Sequence, residues 1–157
     1  MTEAVRVRQA RSSDEQALLE LVHAAFAEYA GRLAPPSGAH VETVETLREK
    51  LEHGALVAEA DGEVVGCLFY RDREDGLYVG RLAVAPSWRG RGIGRQLMDA
   101  ASEVARTRGL DAVVVGVRLQ LPENIGFFAS LGFRPFDVGR HDGFRYPTFL
   151  WMHRLPP

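Results

Sequence analysis

Apolar positions recur along this chain at spacings that change several times, and each change marks a new element. Val5 to Arg8 alternates apolar and charged residues, the period of a half-buried strand. Leu18, Leu21, Val22, Ala25, Phe26 and Tyr29 then recur at three and four, which predicts a helix to about Tyr29. Ahead of it Ser12 and Glu15 stand in capping-box spacing, hydroxyl first and carboxylate three residues on. Gly31 and Pro35-Pro36-Ser37-Gly38 break the pattern. Val41, Val44, Leu47, Arg48 and Leu51 restore it as a second helix that ends near Gly54.

The period then falls to two. Ala55 to Ala60 and Glu63 to Arg71 read as strands joined at Asp61-Gly62, a dipeptide suited to a tight hairpin. Asp75-Gly76 marks another turn, and Leu77 to Val84 a further strand that stops before Pro86. Ile93, Leu97, Ala100, Ala101 and Val104 form a helical stripe, with Gly109 placed to cap it. Ala112 to Val117 is dominated by β-branched valine, as expected of a strand covered on both faces. A short helix from about Glu123 to Leu131 and strands around Phe133 to Val138 and Thr148 to Arg154 complete the pattern. The order β-αα-βββ-α-β-α-ββ describes an α/β fold, a mixed sheet of six to seven strands flanked by about four helices, in a single domain over residues 1–157. The three middle strands form an antiparallel meander, and the passage from Leu77 to Val117 is a right-handed parallel crossover.

Composition narrows the class of partner. With 46% hydrophobic and 25% charged residues the chain matches soluble globular averages, which excludes a disordered or fibrous protein. A net charge of −2 disfavours a dedicated nucleic-acid binder, which is more often clearly basic. Met1 to Arg11 lacks the apolar stretch of a secretory signal, and no uncharged run is long enough to span a bilayer, so the expectation is a cytoplasmic protein with no membrane partner. A single cysteine, Cys67, forms no internal disulfide. The histidines at 23, 40, 53, 141 and 153 are scattered, and no metal site is expected.

The most informative stretch is Arg89-Gly90-Arg91-Gly92-Ile93-Gly94-Arg95, between a predicted strand and a predicted helix. Glycines at alternate positions remove side chains where an anion would approach the backbone. The first amides of the helix lack intrahelical acceptors, and its dipole places partial positive charge at that end. Such a turn cradles phosphate, and three arginines add cations. The spacing G-x-G-x-G at mid-chain fails the dinucleotide fingerprint, and Gly94-Arg95-Gln96 fails the Walker loop.

Leu82-Ala83-Val84-Ala85-Pro86 followed by this loop resembles the acetyl-CoA signature of the GNAT acetyltransferases, R-x-x-G-x-G/A. Asn124-Ile125-Gly126-Phe127-Phe128-Ala129-Ser130-Leu131-Gly132-Phe133 resembles that family's "N…FY…LGF" segment, and the order of elements matches. The resemblance implies a GNAT-like fold, acetyl-CoA as co-substrate, no metal, and direct transfer from the thioester to a primary amine in a ternary complex. It implies that Leu82 and Val84, flanking Ala83, bond the pantetheine arm through their backbones. It also implies that amides from Arg89 to Arg95 hold the pyrophosphate, and that Asn124, Phe127 and Phe128 line the wall near the sulfur. Homodimerisation through the last strands is a further implication.

Attack by an amine requires a base for its proton and a donor for the oxyanion, which the Val84 amide could supply. Many relatives place a glutamate on the strand corresponding to Leu77–Val84 and a tyrosine at the position of Phe128; this chain has neither. Tyr78 on that strand, His141 on the loop before the last strand, and Tyr146 remain as catalytic candidates. Glu42 and Glu45 open the second helix, where carboxylates also favour the dipole. Around the acceptor the resemblance gathers Tyr29, Arg32, His40, Arg140, His141, Arg145 and Tyr146, with Glu42 and Asp142. Cations and rings outnumber acids there, which points to a small-molecule amine that also bears an anion. The competing readings are transfer to protein N-termini or lysines, a non-catalytic acyl-CoA-binding module, and a nucleic-acid-binding domain.

Overall fold

The computed structural model describes residues 4–155, so both ends of the domain expected over residues 1–157 lie outside the described residues. Its strands are β1 (Arg6–Gln9), β2 (Ala55–Ala60), β3 (Glu63–Arg73), β4 (Gly76–Val84), β5 (Val113–Arg118), β6 (Arg134–Gly139) and β7 (Phe149–Arg154). The helices are α1 (Glu15–Phe26), α2 (Val44–His53), α3 (Ile93–Thr107) and α4 (Pro122–Ser130). They alternate in the expected order β-αα-βββ-α-β-α-ββ. The strands form one seven-stranded sheet in the order β1-β2-β3-β4-β5-β7-β6. Antiparallel pairing runs from β1 to β4 and through β5, β7 and β6, while β4 and β5 are parallel around the α3 crossover.

Two cores sandwich the sheet. Leu18, Leu21 and Val22 of α1 and Leu47 of α2 pack on Ala55, Val57, Cys67 and Phe69. Ile93, Leu97, Met98 and Ala101 of α3 pack with Phe128 of α4 on Leu56, Leu68, Leu77, Val79 and the valines of β5. Successive residues of a strand point to opposite faces, so β2, buried on both, had to be apolar almost throughout.

Two element ends differ from the sequence reading. The helix expected from Val41 begins at Val44, because Thr43 caps it: Thr43 Oγ1 accepts from Thr46 N–H at 3.2 Å. Val41 instead sits in a separate 3-10 turn, Gly38–Val41, and is exposed. The Ser12–Glu15 box does not form. Asp14 accepts from the Arg11 N–H at 2.7 Å, being drawn inward by Arg8, and Glu15 is paired with Arg48. Gly109, with φ +70°, takes the left-handed conformation expected of it after α3.

Candidate active site

The site begins where β4 leaves its parallel neighbour. Pairing joins Leu77 to Val113, Tyr78 to Val114 and Val79 to Val115, and runs no further, although β5 continues against β7 as far as Arg118. A register shift between Cys67 and Phe69 and a left-handed backbone at Arg81, φ +52°, turn β4 out of the plane. Beyond the bulge the Ala85 N–H bonds Val65 C=O at 2.8 Å. Amides alternate edges along a strand, so those of Leu82 and Val84 face the edge that β5 has vacated.

Below this opening lies the glycine loop. Gly90 and Gly92 have φ of +78° and +79°, and a Cβ on either would meet nothing within 4 Å. Their backbone conformation calls for glycine, and the space above them is open. Gly94 is glycine for a different reason, since a Cβ there would lie 3.0 Å from the Phe127 ring. The Gln96 N–H is bonded to Gly92 C=O at 3.0 Å, which leaves the amides of Ile93, Gly94 and Arg95 without acceptors inside α3. A cavity of about 450 Å³ runs over these amides, walled by Leu82, Ala83, Val84, Trp88, Arg89, Gly90, Arg95, Asn124 and Phe127. The three arginines differ. Arg95 lines the cavity; Arg89 lines it while paired with Glu28 and bonded to Ala25 C=O at 3.1 Å; Arg91 lies over the Trp88 ring at 4.4 Å and is not part of the lining.

A second cavity, of about 470 Å³, lies on the other side of the split. Phe26, Tyr29, Leu82, Asn124 and Phe127 line both, so the two meet there. The second cavity is also walled by Tyr78, Arg81, Arg118, Phe128, His141, Phe149 and Trp151. The His141 ring is oriented by Thr148, whose buried Oγ1 lies 2.5 Å from Nδ1 and accepts from the His141 backbone N–H at 3.0 Å. Burial, then the charge of Arg118, lowers the His141 pKa below its usual 6.5, against a smaller opposing effect of Asp142. The imidazole is therefore neutral at pH 7, the form a base requires. Tyr78 lines the cavity beneath the guanidiniums of Arg71 and Arg73, with Trp151 on its edge.

Tyr146 is 75% exposed and lines neither cavity. Of the polar residues expected around the acceptor, Tyr29 and His141 line the second cavity; Arg32 is paired with Glu123, and Glu42, 6% exposed, with Lys50. Tyr29 was expected in the acceptor wall and sits at the junction of the cavities, whereas Arg118 escaped the sequence reading. Tyr29 reaches the junction through Asn124, and burial raises its pKa above the usual 10. Arg118 reaches the cavity because it closes the valine run of β5, where a lone charge was the available signal. Cys67 is fully buried, with its thiol pushed up to about 12, so it offers no thiolate. Among the described residues no three His, Cys, Asp or Glu are grouped to hold a metal ion, and no helix is long and apolar enough to cross a membrane.

The site is thus a mixed sheet split between parallel strands, with bare helix amides under the split. The chain belongs to the Acetyltransferase (GNAT) family, whose family model matches residues 17–133. It is 34% identical over 107 residues to an IAA acetyltransferase of Azospirillum brasilense, covering 67% of this chain and 69% of that one. The PaiA N-acetyltransferase of Thermoplasma acidophilum, solved with coenzyme A, has the same fold, with a TM-score of 0.81 at 20% identity over 97% of this chain and 99% of that one. A ribosomal-protein-alanine N-acetyltransferase of Brucella melitensis gives a TM-score of 0.73 at 27% identity, over 96% and 99% of the two chains. The resemblance drawn from the sequence is thus to the family the chain belongs to, and the expected fold class holds.

Proposed function

We propose that the chain moves the acetyl group of acetyl-CoA to the primary amine of a small molecule by direct attack, with both substrates bound. The observation that carries this reading is the meeting of two cavities at the split, one of them floored by the free amides at the start of α3. Open space over Gly90 and Gly92 and the unpaired amides of Ile93, Gly94 and Arg95 fit a pyrophosphate. Arg95 adds charge, while Arg89 and Arg91 hold the loop through Glu28 and Trp88. Bound acetyl-CoA supplies the activated acetyl group: a carbon–nitrogen bond forms, the carbon–sulfur bond breaks, and coenzyme A leaves as a thiol.

This chain's own residues manage the protons. Leu82 and Val84 offer amides to the pantetheine arm, and the Val84 N–H donates to the thioester oxygen as charge builds there. In the tautomer whose Nδ1–H donates to Thr148 Oγ1, His141 has Nε2 free to take the proton of the acceptor amine. The Asn124 amide donates to the Tyr29 oxygen at 3.2 Å, and Asn124 Oδ1 accepts from the phenol only at 3.5 Å, a long bond from which the hydrogen can pass to the departing sulfur. Tyr29 thereby fills the role that a tyrosine in place of Phe128 would have had. Phe127 and Phe128 exclude water from the junction. Tyr78 forms part of the acceptor wall.

A small acceptor is favoured by how the second cavity is closed. Arg118 donates to Pro35 C=O at 2.7 Å and Gln120 to Ala34 C=O at 3.2 Å, tying the loop between α1 and α2 across one end. A peptide would need that end open. The test is amine-dependent release of coenzyme A thiol across small amines and peptides with free N-termini or lysines. Release with small amines is expected. Release with peptides alone would reassign the acceptor, and coenzyme binding without release from any amine would leave a binding module.

A further inference from the structure

The charges around the acceptor cavity are one-sided. Among the described residues, none that lines it is an Asp or Glu, yet two guanidiniums do, Arg81 from β4 and Arg118 from β5. Arg118 donates to the carbonyls of Pro35 at 2.7 Å and Pro36 at 3.3 Å, which orient it and bring no countercharge. Arg81 has an acid behind it, but an imperfect one. Its Nε lies 3.8 Å from Glu42 Oε2, beyond hydrogen-bond range, and both atoms are buried with no hydrogen-bond partner. Glu42 is in addition shared with Lys50 Nζ, 3.0 Å from Oε1. One carboxylate thus serves both Lys50 and Arg81.

Such a surplus is costly in a half-enclosed space unless a ligand completes it. The backbone of Arg81 is also held at a positive φ, a conformation that a side chain other than glycine keeps only where its surroundings enforce it. A cation-lined cavity repels polyamines and aminoglycosides. Planar forks on two walls suit a carboxylate, which accepts paired N–H bonds. Phe26, Phe149 and Trp151 give the same cavity an apolar wall.

Resting on the transferase reading above, we propose that the acceptor is an aminocarboxylate: Arg118 and Arg81 hold its carboxylate, and the aromatic wall takes its apolar part. The amine is then the free end, directed at the junction of the two cavities. Phosphate-bearing amines share part of this chemistry and are separated from carboxylates in the test.

The experiment measures coenzyme A thiol release with a panel of amino acids, each paired with its carboxamide and its aminophosphonate analogue. The expected result is an acid whose kcat/KM exceeds that of its carboxamide by about thirtyfold or more. Arg118→Gln and Arg81→Gln should each erase that ratio while leaving the KM for acetyl-CoA unchanged. Arg118→Lys, which keeps the charge, should retain part of the preference, an outcome that misfolding would not give. Carboxamides used as well as acids, or phosphonates preferred to carboxylates, would overturn the proposal and leave the transferase reading standing. If no amine releases thiol, that reading fails instead, and tryptophan emission decides this one, since Trp151 lines the cavity. A change on adding acids but not carboxamides supports it; a change with neither overturns it.

Discussion

The side-chain amide of Asn124 donates to the phenol oxygen of Tyr29 at 3.2 Å, across 95 residues of chain. The bond ties the first turn of α4 to the 3-10 turn after α1, and it does so at the junction of the two cavities. Phe26 meets Tyr29 edge-on, with ring centroids 5.7 Å apart, and Arg32 lies over the Tyr29 ring at 5.7 Å. Burial, opposed by the Asn124 bond, raises the phenol's pKa, so the hydroxyl stays protonated throughout the neutral range. A fixed, protonated hydroxyl between the two cavities is suited to donating to a leaving group.

Replacing Tyr29 with Phe keeps the ring and its packing and removes the donor. The expected outcome is a fall in kcat of roughly a hundredfold, the scale of one general acid. The KM for acetyl-CoA should hold steady, and Tm should shift by no more than a few degrees. Steady-state kinetics beside a thermal melt separates the effects, and an unchanged kcat would remove Tyr29 from the chemistry.

The pH dependence follows from His141. Its folded pKa lies below the usual 6.5, chiefly through burial and then through Arg118. The neutral base therefore predominates at pH 7, and kcat should be near its plateau there, up to the range in which Tyr29 ionises. On the acid side it should fall only as the pH drops below 6.5 and through the depressed value. His141→Gln should abolish this acid limb and lower the plateau, whereas Arg118→Gln should move the limb to higher pH. Stability follows the same sign: the unfolded chain takes up this proton first, so the group's contribution is whole above pH 6.5 and is lost as the pH falls through the folded pKa. A pH–rate profile of the three proteins checks the assignment.

The elements were legible because each has one dominant period. The valines of β5 and the three-and-four spacing of α3 leave no competing pattern. The glycine loop was legible too, though the reasons for its glycines were not. Gly90 and Gly92 answer to backbone conformation, whereas Gly94 answers to Phe127, a neighbour that only folding supplies. The acceptor side was least legible, because it is made by contacts distant in sequence. Tyr29 reaches its place through Asn124, and Arg81 reaches its cavity through a bulge that no local pattern announces. Tyr146 was a candidate by residue type, and its position in an exposed loop is what type alone does not convey.

Those different origins let two glycine substitutions be told apart. Gly92→Asp places a carboxylate over open space beside the free amides. Repulsion from phosphate, added to the strain of a left-handed aspartate, should cost about 2 kcal/mol or more in coenzyme binding, a loss near thirtyfold. Gly94→Ala adds no charge but presses on the Phe127 ring, so it should disturb the junction and lower kcat more than it weakens coenzyme binding. Calorimetric titration with coenzyme A, set against turnover for each variant, distinguishes them. Equal affinity in the native chain and Gly92→Asp would place the pyrophosphate elsewhere.

Far from the site, Arg8 secures β1 to the start of α1. Its guanidinium donates from Nη1 and Nη2 to Asp14 at 2.9 and 3.1 Å, and from Nε to Glu59 at 2.8 Å. Asp14 is nearly buried and also accepts from the Arg11 N–H. The Arg8 bonds outweigh burial and hold the Asp14 carboxyl below its usual 3.8. A depressed carboxylate contributes stability that is present above its unfolded pKa and is lost as the pH falls through the folded one. Asp14→Asn removes the charge while leaving Arg8 half-paired, and should cost about 3 kcal/mol at pH 7. The deficit should shrink on acidification, because the native protein then loses what the variant already lacks. Urea melts of both proteins at pH 7 and near pH 3 test this, and a deficit that stayed constant between the two would show that the pair contributes packing rather than charge.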